Sequence, residues 1–278
     1  MTPALRCTVR DCEGALSRVD RQLVCAKGHA FDRAREGYWN LLQPQDRKSK
    51  TPGDNDVVVL ARRLWLERGF TDGLATLLSS RLDSAELPEG AVAVDVGCGE
   101  GTLTARLLAP RAVAGCGVDL SAKALRLAAR LAPALTWIVA NADRGLPFAD
   151  HSVHLALSIF GRRPLAELSR VLVPSGRLIV VVPAEDDLVE LREASQGEGR
   201  RLDRVADVLT KFSPGFEFAW REAWRHRARH DRDALHDALA MSYRGARDSE
   251  RKRLGDVSEL DVTLSAEILE LVPRGSVR

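Results

Sequence analysis

The sequence predicts an α/β fold: a mostly parallel sheet with helices on both faces, preceded by a small metal-binding module. Three observations predict it. Apolar runs of strand length alternate with helical segments between residues 91 and 183, the pattern of strands buried on both faces of a parallel sheet. A glycine-rich turn, VDVGCGEGT at residues 94–102, follows the first of those strands. Three cysteines and a histidine crowd residues 7–29, a stretch too short and polar to carry its own apolar core.

Taken in order, residues 1–45 are turn-rich and form the metal-binding module. Residues 46–90 are a linker with helices, and residues 91–278 the main domain. Pro52 and Gly53 mark a loop. From Asp54, which can cap it, a helix places Val58, Ala61, Leu64 and Trp65 on one face. A second helix over residues 71–82 turns Leu74, Leu77 and Leu78 inward. Next come a strand over residues 91–96, a helix over 103–108, and a strand ending at Asp119. Ser121 caps a helix over 122–131. Strands over 135–141 and 153–160, a helix over 165–172 and a strand over 176–183 follow. A helix near 201–211 and a strand over 262–271 complete the pattern.

Hydrophobic residues at 45% and charged residues at 29% describe a globular chain and exclude a disordered one. No apolar run approaches the roughly 20 residues that span a bilayer, and the N-terminus lacks a secretory pattern. A cytoplasmic protein without a membrane partner is expected. The net charge of +2 does not announce nucleic acid. Two basic clusters stand out: Arg47, Lys48 and Lys50, then Arg221, Arg225, Arg227, Arg229 and Arg232. They read either as solvated faces or as phosphate contacts.

Five cysteines without a signal peptide argue against a disulfide framework. Cys7-x4-Cys12 and Cys25-x3-His29 supply three thiolates and an imidazole, a tetrahedral zinc set with no open position, hence structural. The alternative is unligated cysteines beside a surface histidine. In the glycine turn, Gly97, Gly99 and Gly101 are spaced G-x-G-x-G, unlike the G-x-G-x-x-G that packs a helix against pyrophosphate. Asp95 precedes the turn, Asp119 ends the second strand where a ribose would be held, and Asp143 follows the third near an adenine. Leu146, Pro147 and Phe148 offer apolar cover. Together these point to adenosylmethionine; singly, Asp119 and Asp143 also read as helix caps or loop acids.

Residues 91–183 resemble the Rossmann-like class I adenosylmethionine-dependent methyltransferases. Further segments extend the likeness over nearly the whole chain. They are Cys25…His29-Ala30-Phe31-Asp32, Glu36-Gly37-Tyr38-x-Asn40-Leu41-Leu42, Gly53-Asp54, Ala61-Arg62, Gly69-Phe70, Asp119-Leu120-Ser121 and Asp187-Leu188-x-Glu190-Leu191. These resemble the 23S ribosomal RNA guanine-N1 methyltransferases. The resemblance implies zinc on Cys7, Cys12, Cys25 and His29. It implies cofactor contacts from Asp95, Gly97, Gly99, Glu100, Gly101, Thr102, Asp119, Leu120 and Asp143, with Phe70, Thr71 and Asp187 nearby. An RNA hairpin between module and domain, and a homodimer, are also implied.

Three features depart from that pattern. The Cys7–Cys12 loop is two residues longer, Thr71 and Asp187 stand where relatives carry an aromatic and a histidine, and the turn after the fourth strand reads Phe160-Gly161-Arg162-Arg163-Pro164. There Phe160 could stack on a target guanine and Arg162 hold its phosphate, or Phe160 simply packs. No residue stands out as the base for the N1 proton. The rival readings are a small-molecule methyltransferase, which leaves the zinc module unexplained, and a non-catalytic RNA-binding protein with a degenerate fold, against which the intact glycine set stands.

Overall fold

The computed structural model describes residues 3–46, 53–197, 203–241, 252–255 and 257–275. Its first unit is a small antiparallel sheet of β1 (Leu5–Arg6), β2 (Ala15–Val19), β3 (Gln22–Cys25) and β4 (Ala30–Asp32), paired in that order. The chain then leaves this sheet and contributes β5 (Trp39–Asn40) to the main one, parallel to β8 (Thr136–Val139).

The main sheet runs β11-β12-β10-β9-β6-β7-β8-β5. Its other strands are β6 (Val92–Val96), β7 (Ala114–Asp119), β9 (Val153–Ile159), β10 (Leu172–Pro183), β11 (Phe216–Asp231) and β12 (Glu259–Pro273). The strands from β5 to β10 are parallel, and β12 is antiparallel to both its neighbours. Successive strands β6, β7 and β8 step one way and β9 returns to the other side of β6. That reversal makes the carboxyl ends of β6 and β9 the place where such a fold binds ligands.

The helices are α1 (Asp56–Glu67), α2 (Asp72–Asp83), α3 (Thr102–Leu108), α4 (Ala122–Leu131), α5 (Leu165–Val171), α6 (Val189–Gln196), α7 (Val205–Phe212) and α8 (Arg232–Ala240). They bury both faces of the sheet. Val94, Val96, Val118, Val180 and Val182 feed one apolar cluster, while Ala93, Val139, Leu157, Ile179 and Val181 feed another. This is the two-residue alternation of a pleated strand. A third cluster holds α1, α6 and α8 against β12 through Trp65, Leu191, Leu235 and Val262.

The N-terminal sheet is part of the first cluster. Leu5, Leu23, Phe31, Trp39 and Leu41 pack with Ile138, Leu146 and Phe148. Leu5 bridges Phe148, and the Arg6 N–H donates to the Pro147 carbonyl at 3.1 Å. Leu146 and Phe148, expected to cover an adenine, are instead buried under this module at 1% and 0% exposure.

Other expectations shift for identifiable reasons. Asn55, not Asp54, caps α1 by accepting from the Val58 N–H at 3.1 Å, because the helix begins at Asp56 and leaves Asp54 one residue outside the cap position, where its carboxylate pairs with Arg62. Leu64 faces outward, and the inward residues of α1 are Val59, Ala61 and Trp65. Ser121 caps α4 as expected. The cluster of Arg221, Arg225, Arg227 and Arg229 lies on β11, a strand the charge pattern concealed. Arg47, Lys48 and Lys50 lie outside the described residues.

Because Phe148 joins module to sheet from a fully buried position, Phe148→Ala should lower stability by about 3–5 kcal/mol, read from urea unfolding. A loss under about 1 kcal/mol would show that the two units do not share a core.

Candidate functional site

After Val96 the chain turns through residues 97–101 into α3. The end of β7 holds that turn: Gly97 and Cys98 N–H groups both donate to the Val118 carbonyl, at 2.8 and 3.2 Å. Asp119 completes the clamp. Its Oδ2 accepts from the Gly99 N–H at 2.9 Å and its Oδ1 from the Ser121 N–H at 2.8 Å. One carboxylate therefore ties together the turns that follow β6 and β7, and retains lone pairs for further donors.

Two acids are buried beside it. Asp95, 2% exposed, accepts from the Thr104 hydroxyl at 2.5 Å through Oδ2, while its Oδ1 has no partner. Glu100, 3% exposed, likewise leaves Oε2 unpartnered. Burial pushes Asp95 up to about 7, with Asp119 and Glu100 adding repulsion against the Thr104 hydrogen bond. Burial also raises Glu100 and Asp119. Buried acceptors left open are rare in folded chains. Here they belong to an acid-rich turn suited to a cationic, donor-bearing ligand, and adenosylmethionine fits that description.

The start of α1 packs against this edge. Gly53 has φ +83°, and a Cβ there would stand 2.7 Å from the Ser121 nitrogen. Ser121 donates its hydroxyl to the Asp54 carbonyl at 3.0 Å, and Lys123 pairs with Asp56 at 2.6 Å. Arg62, eight residues further along, pairs with Asp54 at 2.5 Å. The sequence offers Asp54 as a helix cap and carries Asp54 and Arg62 in the segments of family likeness, but ties neither to this site. The signal was a charge on the inward stripe of α1, four residues after Val58 and three before Trp65.

On the other side of β6, the turn after β9 packs directly on the glycine turn. A Cβ on Gly161 would stand 2.4 Å from the Val96 carbonyl oxygen. Beside it Phe160 has φ +54° and is 45% exposed, a left-handed conformation that disfavours a side chain and concentrates at functional sites. Arg162 meets Asp143 at 3.5 Å, with both side chains largely in solvent.

The remaining expected residues are placed elsewhere along the same edge. Leu120 packs in an apolar cluster with Cys98 and Leu103. Thr102 opens α3. Phe70 stacks on His230 at 4.0 Å, and Thr71 is buried at the start of α2. Asp187 turns toward β12, its Oδ1 accepting from the Ser265 N–H at 3.0 Å, and burial pushes it up to about 6.

The metal set converges. The ligand atoms of Cys7, Cys12, Cys25 and His29 lie within 4.8 Å of one another. His29 Nδ1 is 3.5 Å from Cys7 Sγ, 3.5 Å from Cys25 Sγ and 3.2 Å from Cys12 Sγ, and Cys12 Sγ is 3.7 Å from Cys25 Sγ. Tetrahedral zinc with Zn–S of about 2.3 Å and Zn–N of about 2.0 Å requires S···S near 3.8 Å and S···N near 3.5 Å. The four side chains fit zinc, and leave no position for a substrate.

Metal analysis should find about one zinc per chain. Stripping it should lower the unfolding temperature of the whole protein in one transition, since the module shares the sheet's core; a separate early transition would contradict that. For Asp95, folding raises the carboxyl pKa from 3.8 to about 7. Its stabilising contribution is therefore complete below 3.8 and lost as pH rises through about 7. Ligand-free protein should lose stability across that window, and Asp95→Asn should flatten the loss in denaturant titrations. Affinity for a cationic ligand should rise over the same window.

Comparison with known proteins accords with this geometry. The family described as "Methyltransferase domain" matches residues 93–176, and the zinc-ribbon family described as "RlmA, N-terminal" matches residues 5–50. The YcgJ protein of Bacillus subtilis has the same fold, with a TM-score of 0.53 at 15% identity over 71% of this chain and 97% of that one. A Bacillus subtilis (strain 168) protein, named without proof as a 23S rRNA (guanine-N1) methyltransferase, is 30% identical over 258 residues, 90% of each chain. The 23S rRNA (guanine(748)-N(1))-methyltransferase of Streptomyces fradiae is 35% identical over 269 residues, 94% of each chain. With likeness of that extent from the zinc ribbon to the last strand, the chain belongs to the 23S rRNA guanine-N1 methyltransferase family.

Proposed function

We propose that the chain transfers the methyl group of adenosylmethionine to N1 of a guanine in 23S ribosomal RNA. The observation that carries this is the exposed, left-handed Phe160 set beside the acid-rich glycine turn, in a chain similar to a named guanine-N1 enzyme over 94% of both lengths.

When bound, the donor supplies an already activated methyl, so the protein's task is mainly positioning. Asp119 is suited to the ribose hydroxyls, since its two backbone bonds leave lone pairs free. Asp95 and Glu100 each keep a buried acceptor without a partner and would serve the cationic end. Asp143 would take the adenine amino group on leaving Arg162, an exposed pair that separates at little cost. Gly97, Gly99, Gly101 and Thr102 shape the floor. Phe70, Thr71, Leu120 and Asp187 complete the proposed surroundings. A paired guanine hides N1, so the base must be looped out, and Phe160 offers a face on which it can stack.

The RNA, as a hairpin, would lie across the zinc module and the carboxyl edge of the sheet. The module presents Arg10, Arg18, Arg21, Lys27 and Arg35 to solvent, suitable for phosphates. On this reading residues 1–45 face RNA, residues 46–90 connect, and residues 91–278 carry the chemistry. A cytoplasmic location and a homodimer belong to the same proposal.

The test is methyl transfer from labelled adenosylmethionine to 23S RNA from a host lacking this modification, with the nucleoside identified by mass spectrometry. We expect 1-methylguanosine. Phe160→Ala should reduce kcat/KM for RNA by about 10- to 100-fold, the worth of one stacked base, with donor affinity unchanged. Donor binding without transfer to RNA would favour a small-molecule substrate, and no donor binding a non-catalytic role.

A further inference from the structure

We propose that Arg62 takes the carboxylate at the methionine end of adenosylmethionine, and that its pairing with Asp54 is its resting position. The inference rests on the adenosylmethionine reading of the glycine turn and adds a residue to it.

Four carboxylates gather at this edge: Asp54, Asp95, Glu100 and Asp119. Arg62 is the cation that Asp54, Glu100 and Asp119 share. Its Nη1 lies 3.2 Å from where a Cβ on Gly99 would stand, and its side chain is 28% exposed. The open Oδ1 of Asp95 and Oε2 of Glu100 lie in the same group. The donor carries two positive groups, a sulfonium and an ammonium, and one carboxylate. The acids suit the first two and repel the third. A pocket of this charge therefore needs one cation for the carboxylate, and the fold delivers Arg62.

The delivery is fixed at both ends of α1. Gly53 and Asp54 are seated on Ser121, and Lys123 holds Asp56. At the far end the Trp65 Nε1–H donates to His230 Nε2 at 3.2 Å. A half-exposed ion pair such as Arg62–Asp54 contributes little to stability, so stability gives no reason to place an arginine on the inward stripe. Exchanging the Asp54 carboxylate for the donor's would keep one ion pair throughout.

Titration calorimetry of the full chain with adenosylmethionine, and with its decarboxylated analogue, tests this. The wild type should bind adenosylmethionine about 10- to 100-fold more tightly, the value of one charge-assisted contact. Arg62→Ala should lose that preference while holding the decarboxylated analogue within about threefold, and Arg62→Lys should recover part of it. Equal wild-type affinity for both ligands would overturn the proposal, and so would Arg62→Ala weakening both alike, the mark of a structural role. The wild-type comparison needs no variant, so a misfolded Arg62→Ala leaves the test standing. Wild-type binding to neither ligand would instead sink the adenosylmethionine reading itself.

Discussion

The Asp119 carboxylate, clamped between the Gly99 and Ser121 N–H groups, is the contact on which the carboxyl edge depends. A turn with this many left-handed glycines has no intrinsic preference for one conformation. Two backbone donors converging on one acid select it. Because Ser121 also caps α4 and seats Gly53 and Asp54, the same clamp fixes where α1 begins. The turn after β9, docked on Gly97 through Gly161, then finds its place against a surface already set. The glycine turn, the start of α1 and the turn after β9 thus meet around one ligated carboxylate.

That arrangement concentrates negative charge where the sheet gives no charge back. Asp95, Glu100 and Asp119 are all raised by burial, so the ligand-free pocket holds its protons more tightly than ordinary carboxylates do. Such an environment is unfavourable for the chain alone and favourable for a sulfonium ligand. It also distinguishes donor from product, since loss of the methyl removes the sulfonium charge.

Much of this was legible beforehand where local pattern and tertiary structure agree. The buried parallel strands, the Ser121 cap and the Cys7, Cys12, Cys25 and His29 set all follow from residue type and spacing. What was not legible depended on distant partners. β5 is two residues long and gains its identity only from pairing with β8. β11 is an edge strand whose Trp220 and Trp224 pack inward between arginines that pair with Glu267, Asp186 and Glu259, so its charge masked its period. Leu146 and Phe148 have the right chemistry to cover an adenine, but the N-terminal sheet claims them. Arg62 carries a charge on an inward stripe, a signal that gains meaning only when the acids facing it are known.

A guanine-N1 methyltransferase leaves its mark on the pairing face of the base. A methyl on N1 blocks Watson–Crick pairing and halts reverse transcription one nucleotide short of it. The most direct measurement is primer extension on 23S RNA from cells lacking this protein and from the same cells supplied with it. A single stop at a guanine is expected, present with the wild-type chain and absent with Asp119→Ala. A stop pattern unchanged by the protein, or a stop restored equally well by Asp119→Ala, would contradict it.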